Sequence, residues 1–285
     1  MANINQMKRK SLGIIRIIFA KLQSMHLNQY YFECAIILIN AILRSSIFYA
    51  SETYYDLKEK EIRQLERIEE CFLRKLLKTG RNCPIVQLYL EVGQIPGRFE
   101  MMKMRLLFLK HILDQNQESR IFKIFEAQKL FPTKGDWVSM CKRNIEDINL
   151  ELSMNEIKAM TKTKFTTILK KKISNAAFEY LLKKQGKKGG EIKYSGVQMA
   201  SYLQPYCSVL TINEKQEIFS IRNGMVNIPA NYGTKSECIC GKNENLAHIY
   251  ECQQLNREQP KLEFEQIYSE NIKKYEVYTK DSRKI

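Results

Sequence analysis

The sequence predicts an all-α protein, a helical bundle followed by further helices and a small metal-stapled module, and three observations predict it. Only 12 Gly and 6 Pro interrupt 285 residues, so helix breakers are sparse. Leu, Ile, Lys, Glu, Gln and Met are plentiful, which favours long helices over a many-stranded sandwich. Apolar residues recur three or four positions apart through most of the chain, the period of a helix with one buried face. With 44% apolar and 27% charged residues the chain belongs with folded proteins, and its length suits one large or two ordinary domains.

The elements follow in order. Residues 4–25 carry Ile14, Ile15, Ile17, Ile18 and Leu22 beside Lys8, Arg9, Arg16 and Lys21, an apolar stripe with a basic face. Residues 28–56 predict a more apolar helix. Its longest apolar run, Cys34 to Leu43, contains Asn40 and falls far short of the ~20 residues that span a bilayer. Residues 58–78 repeat Ile62, Leu65, Ile68, Phe72 and Leu76 at helical spacing, completing an antiparallel three-helix bundle over 1–80. Gly80 to Pro84 ends that unit. A helical linker region over 81–190 resumes at Met101 to Leu113, continues in helices near 118–129 and 136–148, and includes a helix begun by the capping-box pair Ser153 and Glu156. It closes on a long basic helix, Lys162 to Lys188, that breaks at the glycines around 186–190. Thr211 and Glu214 repeat the capping spacing inside a final module, 191–285, with a polar helical tail near 253–277.

The formal net charge is +15. Its excess has two foci, residues 1–50, and residues 151–200, where 11 Lys and Arg face 4 Asp and Glu. Such blocks attract phosphate backbones or anionic surfaces. At the first focus stand Lys8, Arg9 and Lys10; at the second, Lys170, Lys171, Lys172, Lys183, Lys184, Lys187 and Lys188. The plain alternative for the second is a solvated face over a core stripe of Phe165, Ile168, Leu169, Ile173, Ala177 and Leu181, and both can hold at once. Contact with RNA or DNA would then be independent of sequence.

No secretory signal follows Lys10, so an intracellular protein, cytoplasmic or nuclear, with no membrane anchor is expected. In that setting the eight cysteines are not disulfides. Cys34, Cys71, Cys83, Cys141 and Cys207 are scattered among apolar neighbours and read as inert core residues. Cys238, Cys240, His248 and Cys252 instead cluster as Cys-x-Cys-x7-His-x3-Cys. Thiolates and an imidazole suit zinc, and four of them make a closed, structural site. Gly241 gives the turn between the pairs its freedom. The alternative is unpaired thiols beside a chance histidine, and Cys-x-Cys is tighter than the commoner Cys-x2-Cys. Trp137 reads as a packing residue, and His26 and His111 as ordinary helix-surface or interface residues.

Several segments resemble one family. Tyr49-Ala50-Ser51-Glu52-Thr53-Tyr54 is similar to the LYGSETW segment that follows the palm in reverse transcriptases of LINE-type, non-LTR retrotransposons. Leu88 to Pro96, LYLEVGQIP here, resembles their LYLELGxxP segment. Met101-Lys103-Arg105-Leu106-Phe108-Leu109, then Gly135-Asp136-Trp137, then Ser220-Ile221-Arg222 ahead of the Cys/His cluster, continue the order from about residue 8 to residue 255. The resemblance implies the thumb, linker and CCHC zinc knuckle of such an enzyme, without its palm. The carboxylates agree: Asp56, Asp114, Asp136, Asp147 and Asp281 are the aspartates, no two adjacent, so the YxDD pair that would hold paired magnesium ions is missing. The 33 residues after Cys252 are too few for a nuclease. The expectation is a non-catalytic nucleic-acid-binding fragment holding structural zinc. The competing expectation is an interaction protein, self-associating or bound to a helical partner, or a domesticated remnant of such an element.

Overall fold

The computed structural model describes residues 4–27, 30–54, 57–80, 83–133, 135–186, 212–222 and 240–242. Among these residues every regular element is helical. The chain runs α1 (Ile4–Ser24), α2 (Tyr31–Leu38), a π segment (Ile39–Arg44), α3 (Ser45–Ile47), a 3-10 turn (Ser51–Thr53), α4 (Glu59–Leu76), α5 (Ile85–Val92), α6 (Gly97–Leu113), α7 (Arg120–Leu130), α8 (Trp137–Asp147), α9 (Met154–Ala159), α10 (Lys162–Gly186) and α11 (Ile212–Arg222). No helix of the described residues is long and apolar enough to cross a membrane.

Helix starts are fixed by side chains that satisfy otherwise orphaned backbone N–H groups. Ser119 Oγ accepts from Phe122 N at 3.3 Å at the start of α7. Asp136 Oδ1 accepts from Ser139 N at 2.7 Å at the start of α8. Ser153 and Glu156 form the expected reciprocal box at α9, with Ser153 N donating to Glu156 Oε2 at 2.7 Å and Glu156 N to Ser153 Oγ at 3.3 Å.

The helix expected over 28–56 departs from regular geometry twice. It widens into the π segment, and it ends at Ile47, beyond which Ala50 takes the left-handed conformation at φ 55°. The wider π turn lets Leu43 and Arg44 both lie inside. Ser46 Oγ donates to Ile42 O at 2.7 Å and Ser45 Oγ to Ala41 O at 2.6 Å, back-bonds of the kind that bend a helix.

Sequence reading missed α5. Pro84 before it and Gly93 after it, at φ 63°, are ordinary start and stop residues. From Val86 to Val92 every residue is buried, however, so α5 has no polar face to produce an amphipathic period.

Two hydrophobic cores result. The first joins α1, α2, the π segment, α4 and α5 through Ile18, Phe32, Leu43, Phe72 and Tyr89, and takes in Leu181 of α10 and Phe219 of α11. The second joins α6 to α9 and the first half of α10 through Leu106, Phe125, Trp137, Ile157, Phe165 and Leu169. Helix α10 thus contributes to both, and its predicted stripe is buried at Phe165, Leu169, Ile173, Ala177 and Leu181 and half-buried at Ile168. Helix α11 is tied to the end of α4 by Gln216 Nε2 donating to Leu76 O at 3.0 Å.

The cysteine expectation needs one correction. Cys83 and Cys141 are buried and Cys34 is half-buried, but Cys71 is exposed. It precedes Phe72 by one position on α4, about 100° around the helix, and falls off the buried stripe. Cys207 lies outside the described residues.

Candidate nucleic-acid interface

The motif segments converge in space. Trp137 is 9% exposed, meets Phe108 edge to face at 5.8 Å, and donates its Nε1–H to Glu52 O at 2.6 Å. Arg105, on α6, donates to Tyr54 O and, at 2.5 Å, to Asn144 Oδ1. Ser51 Oγ lies 3.5 Å from Met104 Sδ. The segments around residues 52, 105 and 137 therefore clamp one another, and Trp137 packs as expected rather than offering a stacking face.

Beside them runs a second buried polar cluster. Arg44 Nε pairs with Glu69 at 2.7 Å, and the same guanidinium donates to Ile95 O. Tyr89 donates its hydroxyl to Glu69 Oε2 at 3.3 Å. Arg98 pairs with Glu66 and with Glu59, each at 2.7 Å, and lies 4.6 Å over the Tyr180 ring. Arg63 bridges Glu66 at 3.1 Å and Glu70 at 2.5 Å. Burial opposes ionisation of Glu66, yet its hydrogen bonds and proximity to Arg98 prevail and hold its carboxyl below the ordinary value. For Glu69 burial wins over Arg44 and pushes the carboxyl up. Burial likewise drives the Cys141 thiol up to about 12, leaving it no thiolate character at neutral pH.

The candidate interface is a groove where these clusters meet α10. A groove of about 980 Å³ opens between the π segment, the 3-10 turn, α6 and α10, and its lining includes Tyr49, Glu52, Gln94, Lys103, Lys170 and Lys171. Lys170 and Lys171 are exposed. No ion pair among the described residues engages them, whereas Lys103 is paired to Glu100 at 2.5 Å. Lys172 is half-buried and donates its Nζ to Asn149 O at 2.7 Å, anchoring the turn where Asn149 sits at φ 48°. Lys183 is exposed, while Lys184 lies 4.4 Å over the Tyr180 ring. Burial lowers the Lys184 pKa, against the opposing pull of Glu66. Lys8, Arg9 and Lys10 are exposed on the first turns of α1. Neither His26 nor His111 is buried, and His111 stacks on Phe108 at 6.1 Å.

Lys187, Lys188, Cys238, His248 and Cys252 lie outside the described residues, as does the helical tail expected at 253–277. Cys240 is half-buried and is followed by Gly241 at φ 78°. Tyr49, 77% exposed, and the amides of Asn40, Gln94 and Asn175 are groove residues that sequence reading did not single out as a site. The signal present was the place of Tyr49 in the segment that ends at Tyr54. Compared with known proteins, the chain matches no family model, no curated protein and no solved structure.

Proposed function

We propose that the chain binds RNA or DNA through phosphate contacts without copying it, as a part of a LINE-type reverse transcriptase composed of thumb, linker and knuckle. One observation carries this reading: Lys170 and Lys171 stand exposed beside a large groove and outside every ion pair among the described residues, in a protein that pairs Arg44, Arg63 and Arg98 with glutamates. Unpaired lysines on one helix edge neutralise phosphates and release counterions, so log-affinity should fall with log-salt by about 0.7–0.9 per phosphate engaged. Lys162, Lys164 and Lys183 extend the same helix's exposed charge, and Lys8, Arg9 and Lys10 supply the other focus. The convergence of the segments around Glu52, Arg105 and Trp137 supports the resemblance, because it gives a shared physical reason for their order and spacing.

The test is anisotropy of labelled RNA and DNA over a salt series. Lys170→Gln with Lys171→Gln should weaken binding several-fold and flatten the salt slope by about 1–2. Binding that ignores salt, or none to either polymer, would overturn the reading. Primer extension with magnesium should yield no product. For Cys238, Cys240, His248 and Cys252 the donor set and spacing support one structural zinc per chain. Metal analysis checks it: a Cys252→Ser variant that kept its zinc and its melting point would sink that assignment.

A second reading is favoured by exposed apolar residues on α1, α2 and the π segment, where Ile17 is 64%, Ile37 63% and Ile42 42% exposed. It makes the chain an interaction protein and requires an oligomer or partner complex that the lysine substitutions leave intact.

A further inference from the structure

We propose that the groove beside α10 takes unstacked residues of a single strand, with a base against the Tyr49 ring and the adjoining phosphate on Lys170 and Lys171. The inference rests on the phosphate-binding reading of α10 and adds to it a strand type and a stacking residue. Four observations point there. The groove's volume of about 980 Å³ is ample for a nucleotide. Tyr49, among its lining residues, is 77% exposed, whereas Trp137 is 9% exposed and packed on Phe108. An aromatic left in water beside free lysines matches the stacking platform plus cationic track by which proteins hold single strands. Duplex bases present no open face to such a ring, so the feature selects against paired nucleic acid.

The charge balance inside the groove favours the same occupant. Arg44 is committed to Glu69 and Lys103 to Glu100, which leaves Lys170 and Lys171 as its available cations among the described residues. Glu52 is the acid left over, and its Oε2 is buried without a hydrogen-bond partner. A carboxylate oxygen there repels phosphate but accepts from a base amino group or a ribose hydroxyl. Phosphate at the lysines and a donor-bearing base or sugar toward Glu52 satisfies both ends. An apolar peptide would leave the lysines and Glu52 unmatched.

The test uses the whole chain and three labelled probes: a ten-residue cytidylate RNA, the same sequence as DNA, and the ten-base-pair hybrid of that RNA with its complementary deoxyguanylate strand. Tyr49→Ala should weaken both single strands roughly tenfold and leave the hybrid unchanged, and Tyr49→Phe should stay within about twofold of wild type. The melting temperature should not move, because the ring is exposed. Stronger loss on RNA than on DNA for Glu52→Gln would place the ribose hydroxyl at Glu52; equal loss would place the base amine there, and both support the occupant. If Tyr49→Ala left all three probes unchanged, or weakened hybrid and single strands alike, the groove inference would fall. If it abolished a concentration-dependent dimer without touching strand affinity, the groove would belong to a second copy and the inference would fall too. Lys170→Gln with Lys171→Gln separates the layers. Loss with that pair but not with Tyr49→Ala overturns the groove alone, and no loss with either overturns the phosphate reading as well.

Discussion

Two regions of this molecule use cationic side chains in opposite ways. Around α4 the cations are consumed: Arg44, Arg63 and Arg98 are bound to Glu69, Glu70 and Glu66, and those glutamates are buried. On α10, Lys170, Lys171 and Lys183 are exposed and outside any ion pair among the described residues. The difference teaches that net charge by segment conflates internal structure with binding capacity. Residues 51–100 carry no net charge, and within them Arg63 and Arg98 are held by Glu59, Glu66 and Glu70. Residues 151–200 carry an excess, and among the described ones Lys162, Lys164, Lys170, Lys171 and Lys183 are exposed.

The largest effect that would test this contrast is removal of a buried acid. Glu69→Ala leaves Arg44 8% exposed and uncompensated, and should cost about 3–5 kcal/mol of stability in urea unfolding while leaving the salt slope of nucleic-acid binding unchanged. The α10 lysine pair should do the converse. A Glu69→Ala protein that kept its stability would break the distinction. Next comes Gly97, where a β-carbon would lie 2.3 Å from Phe48 Cζ and 2.9 Å from Glu69 Oε2. Gly97→Ala should therefore cost about 1–3 kcal/mol through overpacking of the same junction.

How much of this was legible depends on what a residue's neighbours do. The stripes of α4 and α10 could be read because each has one wet side, so Phe72 and Leu169 recur at helical spacing. Helix α5 could not, since burial on all sides erases the period. Nor could the run Lys170-Lys171-Lys172 be divided in advance. Adjacent positions point about 100° apart, and only the approach of the Asn149 turn decides that Lys172 is anchored while its neighbours remain free. Lys184 is withdrawn in the same way by Tyr180, a residue four positions back whose own surroundings include Arg98. Tyr49 was visible as part of a motif, but its exposure follows from where the helix ends at Ile47.

A smaller effect sharpens the groove side of the contrast. Ala50 stands where the segment it resembles has glycine, and it holds φ 55°, a conformation that costs an alanine about 1–2 kcal/mol. Glycine relieves that strain but adds unfolded-state entropy of about 0.4–1 kcal/mol. Ala50→Gly should thus stabilise the protein by about 0.5–1 kcal/mol in urea unfolding. A destabilised variant would mean that the Ala50 methyl packs on the turn.

The smallest expected effect concerns Asp136, which fixes the start of α8 and so the position of Trp137 against Glu52. Its carboxyl lies below the ordinary 3.8, first because Ser139 N–H donates to the charged form and then, against a burial penalty, because Thr133 N–H does too. A lowered carboxyl stabilises the fold above the unfolded-state value and loses that contribution as pH falls through the folded-state value. Asparagine brings no charge and has one oxygen for the two N–H groups that Asp136 Oδ1 and Oδ2 accept at 2.7 Å, so Asp136→Asn should cost about 0.5 kcal/mol at neutral pH. The difference between the two proteins should shrink toward zero as pH falls below about 3.8. Paired urea unfolding at pH 6, 4 and 3 measures it. A gap that persisted at the lowest pH would mean that Asp136 acts by its shape and hydrogen bonds, and that its charge contributes nothing to holding Trp137 in place.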